Sequence, residues 1–156
     1  MQENAVYKKV LVPLDGSTLS ELALANAVII AAGCKVPELI IINVIEPFKD
    51  LAYWVSDDTA QKMQKEAARL ARKYLDQTVE RLSNEGVEVE GVIAEGNPGE
   101  VILEYAVKNG VDLIVMGTHG RTGFSRFMFG SVAMRLVQHS PVPVLLVPPA
   151  ALASNK

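Results

Sequence analysis

The chain alternates short apolar runs with longer segments of helical periodicity, and this alternation constrains its fold more than any other feature. Runs such as VLV, LIII and LIVM are typical of strands that a parallel sheet buries on both faces. The segment VEVEGVIAEG instead alternates apolar and polar residues, which indicates an edge strand with one face in water. The order βαβαβαβαβ predicts a five-stranded parallel sheet with helices on both faces, a flavodoxin/Rossmann-like three-layer α/β/α fold.

Length and composition suit one globular domain, predicted to span residues 1–156 with an ordered core from about residue 6 to 149. A net charge of −3, with both signs interspersed, predicts a protein that binds neither nucleic acid nor a membrane surface. The single cysteine, Cys34, excludes an intramolecular disulfide. No signal-peptide pattern and no apolar run of about 20 residues occurs, so the cytoplasm is the expected compartment.

Helix boundaries can be predicted from capping residues. Thr18 and Glu21 have the spacing of a capping box at the start of the first helix. Asn97 and Glu100 have the same relation at the third helix. One face of the first helix is expected to carry Leu22, Asn26, Ile29 and Ile30.

In doubly wound sheets, ligands bind beyond the carboxyl ends of the strands, where the strand order reverses. This rule brings three segments together: residues 13–15, residues 43–46 and the stretch GTHGRTGFSRFMFGS at residues 117–131. The last of these joins a buried strand to a helix start through a glycine-rich loop.

Such a strand, loop and helix start form an anion site, because glycine permits close backbone approach and the free N–H groups point at the ligand. His119, Arg121 and Arg126 could add positive charge. The loop at residues 118–129 exceeds the usual two to six residues, which favours a ligand site over a plain structural loop. Both interpretations stay open from this stretch alone.

The common phosphate motifs are absent. There is no P-loop with its lysine, and no G-x-G-x-x-G follows the first strand. The pattern present is Gly117-x2-Gly120-x9-Gly130-Ser131. With KKVLVPLDGS and SPVPVLLV, it resembles the ATP-binding branch of the universal stress protein family over nearly the whole chain. The resemblance implies an adenine nucleotide alpha hydrolase-like fold and a bound adenine nucleotide (ATP, ADP or AMP).

The resemblance also implies a role for individual residues. Asp15 would lie near the phosphates and a bound Mg²⁺ or Mn²⁺ ion, and Val44 would pack against adenine. Gly130, Ser131 and Val132 would offer backbone amides to the phosphates. The remaining implied nucleotide-binding residues are Pro13, Leu14, Met116, Gly117, His119, Gly120 and Arg121.

Each role has a structural alternative. Asp15 could cap the first helix region, Val44 is a core valine in any case, and Ser131 could be an N-cap residue. The phenylalanines Phe124, Phe127 and Phe129 suit anchoring of the loop to the body more than stacking on a base. The pair Tyr53 and Trp54 could cover the nucleotide or a partner surface.

Three functions compete: an ATP-binding regulatory module for a stress response, an ATP-hydrolysing enzyme and a nucleotide-free interaction protein. The expected site has Asp15 but no loop lysine, and no catalytic triad or zinc spacing occurs, which weakens the enzyme hypothesis. The glycine motif weakens the third. The regulatory module leads, with slow or partner-dependent hydrolysis at most and an unidentified protein partner. The resemblance further implies a homodimer through the C-terminal strand, residues 142–147.

Overall fold

The computed structural model describes residues 6–48, 53–119 and 129–149. It confirms the predicted order of strands and helices. The strands are β1 Lys9–Pro13, β2 Glu38–Ile45, β3 Glu90–Glu95, β4 Leu113–Gly117 and β5 Val144–Val147. The helices are α1 Thr18–Gly33, α2 Asp57–Asn84, α3 Pro98–Lys108 and α4 Ser131–His139.

All five strands are parallel and lie in the order β3-β2-β1-β4-β5. In the central strand, Leu11 is paired with Ile40 of β2 on one side and Ile114 of β4 on the other. This order belongs to the Rossmann type and differs from the flavodoxin order 2-1-3-4-5. The edges of the sheet are β3, as predicted, and β5.

The helices cover both faces of the sheet, so the three-layer α/β/α architecture is confirmed. Val10 and Val12 of β1 belong to a buried cluster with the apolar side chains of α1 and α2. Leu11, between them in sequence, joins the opposite cluster with those of α3 and α4. This alternation is the period-two pattern of a strand that is buried on both faces.

The predicted details of α1 were wrong in two respects. Its N-cap is Ser17, whose side chain accepts a hydrogen bond from the Ser20 amide, and Thr18 is already helical. Of the four residues predicted to share one face, Leu22, Asn26 and Ile30 are partly buried, but Ile29 is 70% exposed. The buried residues of α1 are Ser20, Ala23, Leu24 and Ala27. Because α1 is apolar almost all round, its periodicity could not select a face.

A close contact between β4 and α1 fixes how these elements meet at the end of the sheet. A Cβ atom on Gly117 would lie 3.2 Å from the Leu19 carbonyl oxygen, tighter than ordinary packing. The glycine therefore lets the first turn of α1 approach the carboxyl end of β4.

Candidate functional site

The strand order reverses between β1 and β4. From β1 the chain moves outward through β2 to β3, and then returns to place β4 on the other side of β1. The helices that follow β1 and β4 therefore lie on opposite faces, since α1 packs in one layer and α4 in the other. This divergence opens a crevice at the carboxyl ends of the strands, as expected for a ligand site in such sheets.

A cleft of about 930 Å³ occupies this position, within the range of small-molecule sites. Its walls come from the ends of β1, β2 and β4, the N-termini of α3 and α4, and one face of α2. Every predicted site residue that the structure describes lies on these walls: Pro13, Leu14, Asp15, Val44, Met116, Gly117, His119, Gly130, Ser131 and Val132. Gly120 and Arg121 fall outside the described residues. The common location is observed, while the nucleotide-binding role of each residue stays a prediction.

The N-terminus of α4 opens into the cleft without a side-chain cap. Its N-cap is Gly130, and Ser131, for which capping was an alternative, is the first helical residue. The Gly130 amide donates to the Thr118 carbonyl oxygen at 2.8 Å, so this amide is committed to the loop. The amides of Ser131, Val132 and Ala133 belong to the first turn, where helix geometry supplies no backbone acceptor.

The backbone at Gly130 has φ −61° and ψ 158°, which is extended and open to any residue. The chain conformation therefore does not require glycine at this position. What glycine provides instead is the absence of a side chain beside the first turn of α4, where a ligand could approach the backbone.

The turn after β1 carries Asp15 into the cleft. Its Oδ1 atom accepts a hydrogen bond from the Ser17 amide at 2.9 Å. Gly16 follows with φ 79°, a left-handed conformation that suits glycine. Asp15 therefore supports the turn into α1, and Ser17 performs the capping itself.

At the end of β4, the His119 ring and the Thr118 hydroxyl are joined by a hydrogen bond of 3.0 Å between Nδ1 and Oγ1. Thr118 is buried and its amide donates to the Val147 carbonyl oxygen, which ties the start of the loop to β5. His119 is half-buried on the cleft wall. Phe129, expected to anchor the loop, is 48% exposed, while Phe124 and Phe127 lie outside the described residues.

The α2 wall of the cleft is the part that the sequence did not predict. It consists of Ala67, Leu70, Ala71 and Tyr74, which recur at helical spacing. Helical spacing of this kind predicts a helix but does not indicate that one of its faces lines a ligand site. Leu70 is 51% exposed because the cleft lies in front of it.

Tyr74 links this wall to α1. Its hydroxyl donates to the Glu21 carboxylate, which also forms an ion pair with Arg81 at 2.9 Å. Burial and the hydrogen bond to Glu21 raise the pKa of Tyr74 above its usual range. The phenol therefore stays protonated at neutral pH and holds the two helices together as a hydrogen-bond donor.

Tyr53 and Trp54 are 91% and 85% exposed, and neither lines the cleft. A role in covering a partner surface stays a prediction for this pair. Such an exposed aromatic pair is unusual on a monomeric surface.

Two searches over residues 6–48, 53–119 and 129–149 gave negative results. No group of three or more His, Cys, Asp or Glu side chains could hold a metal ion. Within the same residues, no helix is long and apolar enough to cross a membrane.

Comparisons with known proteins agree with this geometry. A universal stress protein of Methanocaldococcus jannaschii is 36% identical over 144 residues, covering 91% of this chain and 82% of that protein. The structure of universal stress protein UspA from Lactobacillus plantarum has a TM-score of 0.80 at 26% identity, covering 92% of this chain and 99% of UspA. A universal stress protein solved in complex with cAMP has a TM-score of 0.67 at 26% identity, covering 90% of this chain and 97% of that one. The universal stress protein family model matches residues 6–148, and the chain belongs to this family.

Proposed function

We propose that this protein is an ATP-binding regulatory module that holds an adenine nucleotide in the cleft and hydrolyses it slowly or only with a partner. The observation that carries the proposal is the bare N-terminus of α4, which opens beside Asp15 into a cleft at the strand-order reversal. The relative solved with cAMP supports adenine nucleotides as the ligand class.

The phosphates bind at the α4 end of the cleft. The amides of Ser131 and Val132 donate to phosphate oxygens, as free N–H groups at helix N-termini do. The Ser131 hydroxyl can donate as well, since no side-chain cap bond occupies the N-terminus of α4. The absence of a side chain at Gly130 admits a phosphate close to the backbone.

The base binds at the opposite end, between β2 and α2. Val44 supplies an apolar contact from β2, and Leu70 and Ala71 supply contacts from α2. The strands β2 and β4 flank β1, so roughly 10 Å separates the two ends at ordinary strand spacing. A nucleotide can thus lie across β1 with its ribose above Pro13 and Leu14.

Asp15 lies between the two ends and is the proposed ligand of a phosphate-bound Mg²⁺ or Mn²⁺ ion. Mg²⁺ commonly binds through one or two carboxylates together with substrate phosphates. A single carboxylate beside the phosphate site fits that donor set. The ion would neutralise phosphate charge when the nucleotide is bound.

The cleft suits retention of ATP more than rapid turnover. In the part of the chain that the structure describes, no lysine or arginine side chain lines the cleft. Fast phosphoryl transfer needs such cations to stabilise the charge of the transition state. Arg121 and Gly120 remain proposed nucleotide contacts from the motif. The alternative is an ATP-hydrolysing enzyme, which would be distinguished by multiple-turnover ATP hydrolysis at about 1 s⁻¹ or more.

We also propose a cytoplasmic homodimer formed through residues 142–147. Among the described strands, β5 pairs with β4 alone, and Leu145 is 39% exposed on this edge strand. An uncovered apolar edge invites pairing with a second copy. Tyr53 and Trp54 would remain available to an unidentified protein partner, the feature that favours an interaction protein as a further alternative. Light scattering should give twice the chain mass at micromolar concentration; a monomer would contradict the dimer.

Two measurements test the nucleotide proposal. Protein purified under native conditions is denatured, and the supernatant is analysed for adenine nucleotides by chromatography. ATP is then titrated into emptied wild type, Gly130→Glu and the control Gln138→Glu, which adds the same charge at the other end of α4. A carboxylate at position 130 should weaken ATP binding by about 100-fold through repulsion of the phosphates. Equal affinity in all three proteins would contradict the site.

A further inference from the structure

Asn43 is a polar residue in the middle of an apolar strand. In β2 it follows Leu39, Ile40, Ile41 and Ile42, and only 6% of its surface is exposed. Burying a carboxamide costs free energy unless it forms hydrogen bonds. Its Nδ2 atom donates to the Leu14 carbonyl oxygen at 2.8 Å, a contact between residues far apart in sequence.

Leu14 lies one residue beyond the end of the β1–β2 ladder, whose last paired residues are Pro13 and Ile42. Its amide still donates to the Ile42 carbonyl oxygen at 2.8 Å. Its carbonyl oxygen receives the Asn43 amide, and Leu14 itself is 2% exposed, which leaves little access for water. Asn43 therefore supplies the donor that the strand cannot, and both backbone groups of Leu14 are bound to β2.

Asp15 comes directly after this fixed residue. Its Oδ1 atom accepts from the Ser17 amide at 2.9 Å, and the Ser17 hydroxyl oxygen accepts from the Ser20 amide at 3.2 Å. Hydrogen bonds thus hold the turn at both ends, from β2 on one side and from α1 on the other. Asn43 and Asp15 both line the cleft.

We propose that Asn43 is a positioning residue for Asp15. By binding the Leu14 carbonyl group, its side chain fixes the point from which the Asp15 turn starts. That turn directs the carboxylate toward the phosphate-bound divalent cation. The inference rests on the proposed nucleotide site and adds a residue that acts through Asp15 rather than by contact with ATP. Asn43 should therefore affect the metal-dependent part of ATP affinity and leave the metal-independent part unchanged.

The first test compares Asn43→Leu, which keeps side-chain size but removes the donor, with Thr78→Val. Thr78 is a matched control: it is 3% exposed, and its hydroxyl donates to the Tyr74 carbonyl oxygen at 2.9 Å. ATP affinity is measured with Mg²⁺ and with EDTA. Asn43→Leu should reduce the gain from Mg²⁺ by about tenfold and leave the EDTA value within twofold. An equal loss under both conditions, or a similar loss in Thr78→Val, would overturn the proposal.

The second test is a double-mutant cycle with Asp15→Asn. If Asn43 acts through Asp15, adding Asn43→Leu to Asp15→Asn should not lower Mg²⁺–ATP affinity further. Additive losses would overturn the positioning role.

If wild type binds no ATP, the proposed function fails, and amide exchange still decides whether Asn43 fixes the Asp15 turn. Exchange of the Ser17 amide should be about tenfold faster in Asn43→Leu and unchanged in Thr78→Val; equal rates would overturn it. Asn43→Ser, a smaller change, replaces Asn43→Leu if that variant does not fold.

Discussion

The N-termini of α3 and α4 face the same cleft but are built differently. At α3, the Asn97 side chain accepts from the Glu100 amide at 3.3 Å, and Pro98 at the first turn has no N–H group to offer. At α4, Gly130 provides no side chain, and no side-chain hydrogen bond caps the helix. A side chain thus caps the first turn of α3, whereas none of the described residues provides a side-chain cap at α4.

Under the proposed function, the α4 start binds a ligand, whereas the other helix starts have a structural role only. α1 and α2 are capped by Ser17 and Ser56, in the same way as α3 by Asn97. A Ser or Asn N-cap stabilises a helix by a few tenths of a kcal/mol relative to a Gly N-cap. The missing cap at α4 therefore lowers the stability of the helix, and a bound phosphate would offset that loss. Such a departure from helix-capping rules is expected where a binding requirement, rather than the stability of the fold, determines the residue.

The largest expected effect comes from giving α4 the cap that α3 has. Gly130→Asn places a neutral capping side chain on a backbone that any residue can adopt. We expect ATP affinity to fall by about tenfold or more, because the side chain occupies the phosphate position, while the free energy of unfolding rises by a few tenths of a kcal/mol. Titration calorimetry and denaturant unfolding measure the two quantities. Unchanged ATP affinity would contradict the proposal that the N-terminus of α4 binds the phosphates.

A smaller effect is expected from Ser131→Ala. The Ser131 hydroxyl makes no cap bond at α4, so its removal should leave the melting temperature unchanged. Loss of one hydroxyl donor to a phosphate should weaken ATP binding by about fivefold. Thermal unfolding without nucleotide serves as the control for ATP titration. A lower melting temperature with intact affinity would reassign Ser131 to a structural role.

The smallest change in binding is expected at α3. Asn97→Ala removes the side-chain cap and should lower the free energy of unfolding by about 1 kcal/mol. ATP affinity should stay within twofold of wild type, since the α3 terminus is not used by the phosphates. Denaturant unfolding and ATP titration together check this. A large loss of affinity in this variant would show that both termini bind the ligand.

The order of elements could be predicted because each strand and helix is encoded by local periodicity. The strand order could not, since flavodoxin and Rossmann orders share the same alternation of elements, and the crossovers that distinguish them are tertiary. At two helix starts, the observed N-cap lies one residue before the residue that was considered for capping. Ser17 caps α1 where Thr18 was expected, and at α4 the N-cap is Gly130 rather than Ser131. Neighbouring residues that can both be N-caps, Ser17 and Thr18 at α1 or Gly130 and Ser131 at α4, give sequence reasoning no means to choose.

The glycine motif and the ends of β1 and β2 were predictable parts of the candidate site, and the α2 wall was not. Residues of the motif lie close in sequence to the helix they open, so their pattern carries the information. Leu70 reaches the cleft only because α2 folds beside the sheet, and the bond from Asn43 to the Leu14 carbonyl oxygen forms only because β2 lies beside β1. In the sequence alone, Leu70 is typical of a core residue, and Asn43 is a polar residue within an apolar strand. Their roles depend on neighbours that are distant in sequence.

Amide chemical shifts measured during ATP addition would compare the two helix N-termini inside one molecule. In the ¹H–¹⁵N spectrum of isotopically labelled wild type, the account predicts the largest shifts at Ser131, Val132 and Ala133 of α4. The first-turn amides of α3, Gly99 and Glu100, should shift little because that terminus is capped by Asn97. Shifts that are as large at α3 as at α4, or an α4 first turn that does not respond to saturating ATP, would contradict the central claim.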